Sequence, residues 1–255
     1  MKINKISLLI IAAFLCLNTP LKAEVQSLPA IKNRRAASVR IYDFQKLYKD
    51  LGYTQAYFGA TDSELEALET YTTTEDSFYR EINDYLRYYP GPYTYYGLTP
   101  DQAKELVSKL DSLFGRIPVL PYDLVLFRGM KLKFRADKPY AVNDEFTDKA
   151  YVSTSPSLKV AEKFALDKDH EADGLEQALF IIYANKPGAK GLLIPSHEEE
   201  VILNRGSRFR IMAAKKIRPD YSIYLAQLCA APCETSVRFD IRSFWERFVL
   251  RYSGR

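Results

Sequence analysis

Hydrophobic positions in the first half of the chain recur at helical intervals. Leu65 and Leu68 share a face of a segment over Ser63–Tyr71, and a helix is also predicted over Asp43–Leu51. Phe78, Ile82, Tyr85, Leu86 and Tyr89 follow at steps of four, three, one and three, and Pro90-Gly91-Pro92 stops that helix. Thr99-Pro100-Asp101-Gln102 has the form of a capping box with proline at the first helical position, where no backbone bond is lost. The helix it opens carries Leu106, Val107, Leu110 and Leu113 and is expected to end at Gly115.

From residue 123 the pattern changes to short apolar or β-branched runs. Strands are predicted at Leu124–Phe127, Tyr151–Ser153, Ala178–Tyr183, Leu192–Ile194, Val201–Leu203, Phe209–Met212, Ile223–Leu228 and Val237–Ile241. Turn residues such as Asn185-Lys186-Pro187-Gly188 and Asn204-Arg205-Gly206 separate them. One helix interrupts the series: Ser155 can cap it, Pro156 opens it, and Leu158, Ala161, Phe164 and Ala165 form its apolar face. Helices first and strands later predict an α+β fold, not a parallel α/β sheet. No repeat, long linker or low-complexity segment divides the chain, so a single domain is expected.

Composition narrows the class. The chain has 255 residues, 47% hydrophobic and 27% charged, with 11 glycines and three cysteines. It is too apolar for disorder and too poor in cysteine for a disulfide-built scaffold. Lys2 and Lys5 precede an apolar run from Ile6 to Leu17, and a small residue stands at Ala23. Residues 1–23 are therefore expected to be a secretory signal, which makes the protein secreted and leaves a domain over residues 24–255. That segment carries three lysines and no acid, so its removal lowers the formal charge from +4 to +1. Net charge then gives no support to nucleic-acid binding. Cys229 and Cys233 are the cysteines left, and in an oxidising compartment such a close pair is expected to form a local disulfide.

The last stretch places Ile241, Phe244, Trp245, Phe248, Val249 and Tyr252 on one helical face, flanked by Arg242, Arg247 and Arg251. Two readings are open: a closing helix packed on the domain, or peripheral membrane contact by a basic amphipathic helix.

Several common sites are missing: there is no G-x-G-x-x-G, Walker loop, H-E-x-x-H or G-x-S-x-G. His170 and His197 are the only histidines, which leaves little material for a Ser-His-Asp triad or a zinc site. Three features stand out in chain order. Arg128 follows an apolar strand and precedes Gly129; Ser153-Thr154-Ser155 ends another strand; Glu198-Glu199-Glu200 leads into Val201-Ile202-Leu203. Singly they suggest a surface ion pair, a helix cap and a solvated acidic turn.

Together, in this order and at strand edges, they resemble the Arg–Ser-Thr-Ser–Glu-x-Glu pattern of mono-ADP-ribosyltransferases. The likeness extends to Ile82-Asn83, Leu86-Arg87, Ala161, Phe164, Arg205-Gly206 and Phe209-Arg210-Ile211, over about residues 45 to 215. It is nearest to the secreted bacterial arginine-modifying toxins. The resemblance implies two packed β-sheets around an NAD cleft, with the helices mainly in the N-terminal half, and NAD as co-substrate without a metal.

It also implies roles. Arg128 would hold the NAD pyrophosphate through paired guanidinium bonds. Gly129 would let the backbone approach the nicotinamide amide. Ser153 would hold the catalytic carboxylate, and Thr154 and Ser155 belong to the same cofactor-binding segment. Phe164 is either an aromatic wall for the nicotinamide or a core residue of its helix. Glu200 would stabilise the oxocarbenium-like ribose that forms as nicotinamide leaves. Glu198, two residues away along extended chain, would share its face, orient an arginine and draw off its proton. A register shifted by one would make Glu199 the catalytic residue.

The loop Pro195-Ser196-His197 lacks the aromatic residue many relatives use to touch their target. The acceptor is expected to be a host protein arginine; actin and small GTPases are possible because relatives modify them. A monomer is expected. Two rivals stay open: an NAD glycohydrolase using the same Arg128, Ser153 and Glu200, and an extracellular binding module without catalysis.

Overall fold

The computed structural model describes residues 43–51, 59–73, 78–91, 97–121, 124–132, 139–166, 175–184, 188–195, 198–229, 233 and 241–253. The expected signal segment, the strand residues 237–240, and Ser196 and His197 lie outside them.

Among the described residues, four helices come first: α1 (Phe44–Asp50), α2 (Asp62–Thr72), α3 (Phe78–Tyr88) and α4 (Pro100–Arg116). The capping box at Thr99 is present, with Gln102 answering the cap residue's N–H. An equivalent, unpredicted box starts α2: the Thr61 hydroxyl accepts from Glu64 N, and the Glu64 carboxylate accepts from Thr61 N. Gly115 does not end α4, which runs on to Arg116 and stops at Ile117.

Among the described residues, eight strands follow: β1 (Leu124–Leu132), β2 (Glu145–Thr147), β3 (Val152–Thr154), β4 (Glu176–Ala184), β5 (Gly191–Ile194), β6 (Glu200–Leu203), β7 (Arg208–Arg218) and β8 (Tyr221–Cys229). Helix α5 (Leu158–Leu166) joins β3 to β4, and α6 (Ile241–Ser253) closes the chain. The pattern does not predict β2, and Ile241 begins a helix where a strand is expected to end. Ser155 is not a simple cap either: α5 starts three residues later, and Ser155 bridges to Phe127.

The strands form a five-stranded sheet in the order β1-β4-β8-β7-β2 and a three-stranded sheet in the order β3-β6-β5. All pairs are antiparallel except β4 with β8. The result is the expected α+β architecture of two sheets.

Alternation along the central strands shows where the core sits. Leu124 and Leu126, Phe180 and Ile182, and Tyr224 and Ala226 face a large cluster shared with α1 to α4 and the small sheet. Val125 and Phe127, Leu179 and Ile181, and Ile223 and Leu225 face the opposite way, into a second cluster under α5 and α6. The large sheet is buried on both faces, which is why its strands read as unbroken apolar runs. Trp245 and Phe248 of α6 are buried in the second cluster, with Phe244 and Val249 packed against it, while Arg247 and Leu250 stay exposed. Cys229 and Cys233 are disulfide-bonded between β8 and α6.

Candidate active site

Among the described residues, main-chain bonds join the two sheets at Phe127 and Ser155, and the charged residues gather there. Phe127 N donates to Ser155 O at 2.7 Å and Ser155 N returns to Phe127 O at 2.8 Å. This pair of bonds sets β1 of the large sheet beside β3 of the small one. Arg128, in the middle of β1 and not at its end, reaches across and donates from Nη1 to Ser153 O at 2.6 Å. Gly129 follows because no side chain fits: a Cβ there would lie 1.8 Å from Ala161 O and 2.5 Å from Ala165 N. The main chain of α5 occupies that space, a packing requirement that the Arg-Gly pair alone does not disclose.

β3 carries Ser153 opposite Ile202 and Thr154 opposite Val201 of β6. The buried Thr154 hydroxyl donates to Val201 O at 2.6 Å, and Ser155 Oγ donates to Glu198 O at 3.1 Å while accepting from Ser157 N. The hydroxyls of Thr154 and Ser155 are thus engaged in holding the glutamate segment. Ser153 lines the same cleft as Glu200.

Glu200 is the first residue of β6, and Glu199 before it is left-handed, with φ of 47°. Glu198 and Glu200 both line the cleft, and Glu199 does not. They come together for a different reason from the expected one. Extended alternation does not reach back to Glu198; the left-handed residue between the two turns the chain so that both side chains face inward. Phe164 also lines the cleft and is 44% exposed, so it is not a core residue.

The cleft encloses about 400 Å³. Its far wall comes from α2 and α3, which supply residues to which the motifs assign no role: Tyr71, Tyr79, Arg80, Asn83, Asp84 and Arg87. Arg87 makes a two-pronged pair with Asp148, Nε to Oδ1 at 3.1 Å and Nη2 to Oδ2 at 2.9 Å. Tyr79, Asn83 and Arg87 recur every four residues on α3, a polar stripe that normally indicates a solvated face. Here Asn83 is buried. The only signal in the sequence is that stripe, on the helix that also carries the family-like Ile82-Asn83 and Leu86-Arg87 pairs.

Burial governs the charges. It pulls the Arg128 guanidinium below its usual range, with Asp148 opposing the shift and Arg87 adding to it. It pushes Glu200 up to about 7; the Ser153 hydrogen bond pulls the other way, the Glu198 charge adds to the rise, and Arg128 opposes it. Among the described residues no group of three or more His, Cys, Asp or Glu side chains is placed to hold a metal. The site therefore offers cations for phosphate, a partly buried carboxylate of raised pKa, and a second carboxylate beside it.

Residues 42–227 match the model of the ADP-ribosyltransferase exoenzyme family, and the chain belongs to that family. It is an ADP-ribosyltransferase, an enzyme class whose co-substrate is NAD. A curated relative, Vis of Vibrio splendidus, bears the name NAD(+)–arginine ADP-ribosyltransferase; it is 23% identical over 236 residues, spanning 88% of this chain and 92% of Vis. The solved structure of Vis with agmatine shares the fold with a TM-score of 0.59 and 22% identity, covering 79% of this chain and 90% of that one. An ADP-ribosyltransferase of Clostridium botulinum has a TM-score of 0.52 and 18% identity, over 75% of this chain and 99% of that one.

Proposed function

We propose that this protein is a secreted toxin or effector that transfers ADP-ribose from NAD to an arginine of a host protein, releasing nicotinamide. The observation that carries the reading is the pair Glu198 and Glu200, turned into one cleft around left-handed Glu199 and facing Arg128. The arginine-directed name of Vis and its complex with agmatine add support.

In this reading Arg128, with Arg87 as a second cation, binds the pyrophosphate, and Phe164 lies against the nicotinamide. Gly129, Ser153, Thr154 and Ser155 form the seam on which the cofactor rests, the last two through the glutamate segment they hold. The bond between the ribose C1′ and the nicotinamide nitrogen breaks, its electron pair leaves with neutral nicotinamide, and positive charge develops on the ribose. Ionised Glu200 stabilises that charge. Glu198 orients the acceptor guanidinium and takes its proton as nitrogen bonds to C1′, because a guanidinium with a pKa above about 12 is a poor nucleophile until deprotonated. The chemistry requires no metal.

The acting unit is the domain over residues 24–255, working as a monomer once the signal is removed. The acceptor class is a host protein such as actin or a small GTPase. Any peripheral membrane contact by α6 would use the side left outside its packing, where Arg247 and Leu250 are exposed.

The test is transfer of label from NAD to agmatine by the mature chain and by Glu200→Ala and Glu198→Gln. Loss of all activity in the first variant, and loss of transfer with nicotinamide release retained in the second, is expected. Nicotinamide release without transfer by the wild type would favour the glycohydrolase instead. Transfer that survives in Glu198→Gln would remove Glu198 from the acceptor role.

A further inference from the structure

The stretch leading into β3 grips both arginines of the cleft. Arg128 donates from Nη1 to the main-chain oxygen of Ser153 at 2.6 Å. Arg87, a long side chain in the last turn of α3, reaches the same stretch farther upstream. Its Nε donates to Asp148 Oδ1 at 3.1 Å and its Nη2 to Asp148 Oδ2 at 2.9 Å. Asp148 is itself fixed. Its N–H donates to Ser207 O at 3.0 Å, and its carbonyl accepts from Gly206 N at 2.8 Å. Its Oδ1 also accepts from Ala150 N at 3.0 Å. The carboxylate is thus a half-buried anchor held by the turn before β7. Arg87 lines the cleft and Asp148 does not, so the grip comes from outside the ligand space.

A guanidinium carries five N–H groups in one plane. Asp148 engages the Nε hydrogen and one of those on Nη2, which lie along one edge. The hydrogens that remain, on Nη1 and Nη2, form a second edge with the paired geometry that suits phosphate oxygens. An arginine without such a grip is ordered only when the ligand arrives, and that ordering weakens binding. We propose that Asp148 is a positioning residue for the pyrophosphate site: it locks Arg87 by one edge and presents the other, already ordered, to NAD. The proposal rests on the reading of Arg87 as the second pyrophosphate cation. Charge alone would act in the opposite direction, because a carboxylate near an anion site repels the anion and its removal would strengthen binding. A mere tie between α3 and the loop would act whether or not Arg87 is present.

The test is calorimetric binding of ADP-ribose, which carries the pyrophosphate without the bond to be broken. Wild type is compared with Asp148→Asn, Arg87→Gln and the double variant, and thermal unfolding of the same samples reports folding. Asparagine keeps an oxygen for Ala150 N but turns an amide donor toward the arginine's donors, so the two-pronged pair is lost. Asp148→Asn is expected to weaken ADP-ribose binding by about three- to tenfold, the scale for ordering one long side chain. Arg87→Gln should weaken it by about tenfold or more, and in that background Asp148→Asn should weaken it no further. In Asp148→Asn the KM for NAD should rise with the dissociation constant, while kcat stays within about twofold. Unchanged or tighter binding, or equal weakening with and without Arg87, would overturn the proposal. A second measurement needs no Asp148 variant: nitrogen relaxation of the Arg87 Nε–H, assigned by its loss in Arg87→Gln. Before ligand is added this group should be about as ordered as rigid backbone, and a mobile one would overturn the proposal. Full ADP-ribose affinity in Arg87→Gln would sink the assignment of Arg87 to the pyrophosphate, and the proposal with it. Weakening as expected in a protein that neither transfers ADP-ribose nor releases nicotinamide would uphold the positioning and sink the catalytic reading.

Discussion

Arg128 on β1 and Glu200 on β6 face one cleft from two different sheets, and burial acts against the charge of each. The outcomes differ. Burial lowers the arginine's pKa, yet a guanidinium holds its proton throughout the working range. The same force on Glu200 brings it to about 7, where charged and neutral forms coexist. The cationic wall is therefore a fixed feature, set by a main-chain carbonyl and a packed helix. The anionic wall is conditional, and its charge depends on Ser153, Glu198, Arg128 and pH. Activity should be limited by the second wall long before the first.

The largest effect expected from breaking this contrast is Glu200→Gln. Removing a preorganised charge at the reacting centre should lower transfer and nicotinamide release together by about 10³-fold. Stability should move the other way. A carboxyl raised from 4.5 to about 7 in the folded chain contributes stability below its unfolded pKa, and that contribution is lost as pH rises through about 7. Thermal unfolding should find Glu200→Gln more stable than wild type at pH 8, by on the order of 2 kcal/mol, with the gap closing near pH 4. In wild type, kcat/KM should fall about tenfold per unit as pH drops below the Glu200 midpoint. A flat profile from pH 5 to 8 would show that Glu200 is not the limiting group.

On the cationic wall, Arg128→Lys keeps the charge but loses the fork and the bond to Ser153 O. NAD affinity measured by calorimetry should weaken by about 10- to 100-fold, with no new pH dependence below pH 8. A pH-dependent loss would mean that the two walls are not separable. Gly129→Ala should have the smallest effect on chemistry and act through packing. Its Cβ would overlap the α5 main chain, so denaturant unfolding should show a loss of roughly 1–3 kcal/mol. An unchanged midpoint would show that α5 can move away without cost.

The strand-borne half of this site is legible in the sequence, and the helix-borne half is not. Arg128-Gly129, Ser153-Thr154-Ser155 and Glu198-Glu199-Glu200 carry unusual polar groups against apolar strands, so they stand out locally. Tyr71 and Asn83 do not: a tyrosine and an asparagine on amphipathic helices look like ordinary boundary residues until the helices are packed. Phe164 misleads for the same reason, because its spacing on α5 matches a core position while the helix's contact with β1 leaves it at the cleft. The Glu198 and Glu200 pairing matches expectation in position, but arises through a left-handed Glu199 that no alternation rule supplies.

Periodicity determined the helices of the first half, the strands of the second other than β2, and the α+β class, because backbone hydrogen bonding and side-chain partition act over a few residues at a time. The capping box at Thr99 and the three motifs are local in the same sense. Tertiary structure alone decided that Phe127 and Ser155 would join two sheets, that the backbone of α5 would fill the space beside Gly129, and that Tyr71 and Ser153 would line one cleft with Glu200. Each joins residues far apart in the chain, and the Glu200 pKa near 7 follows from the burial they create together. Desolvation depends on the whole enclosure, which no short stretch of sequence specifies.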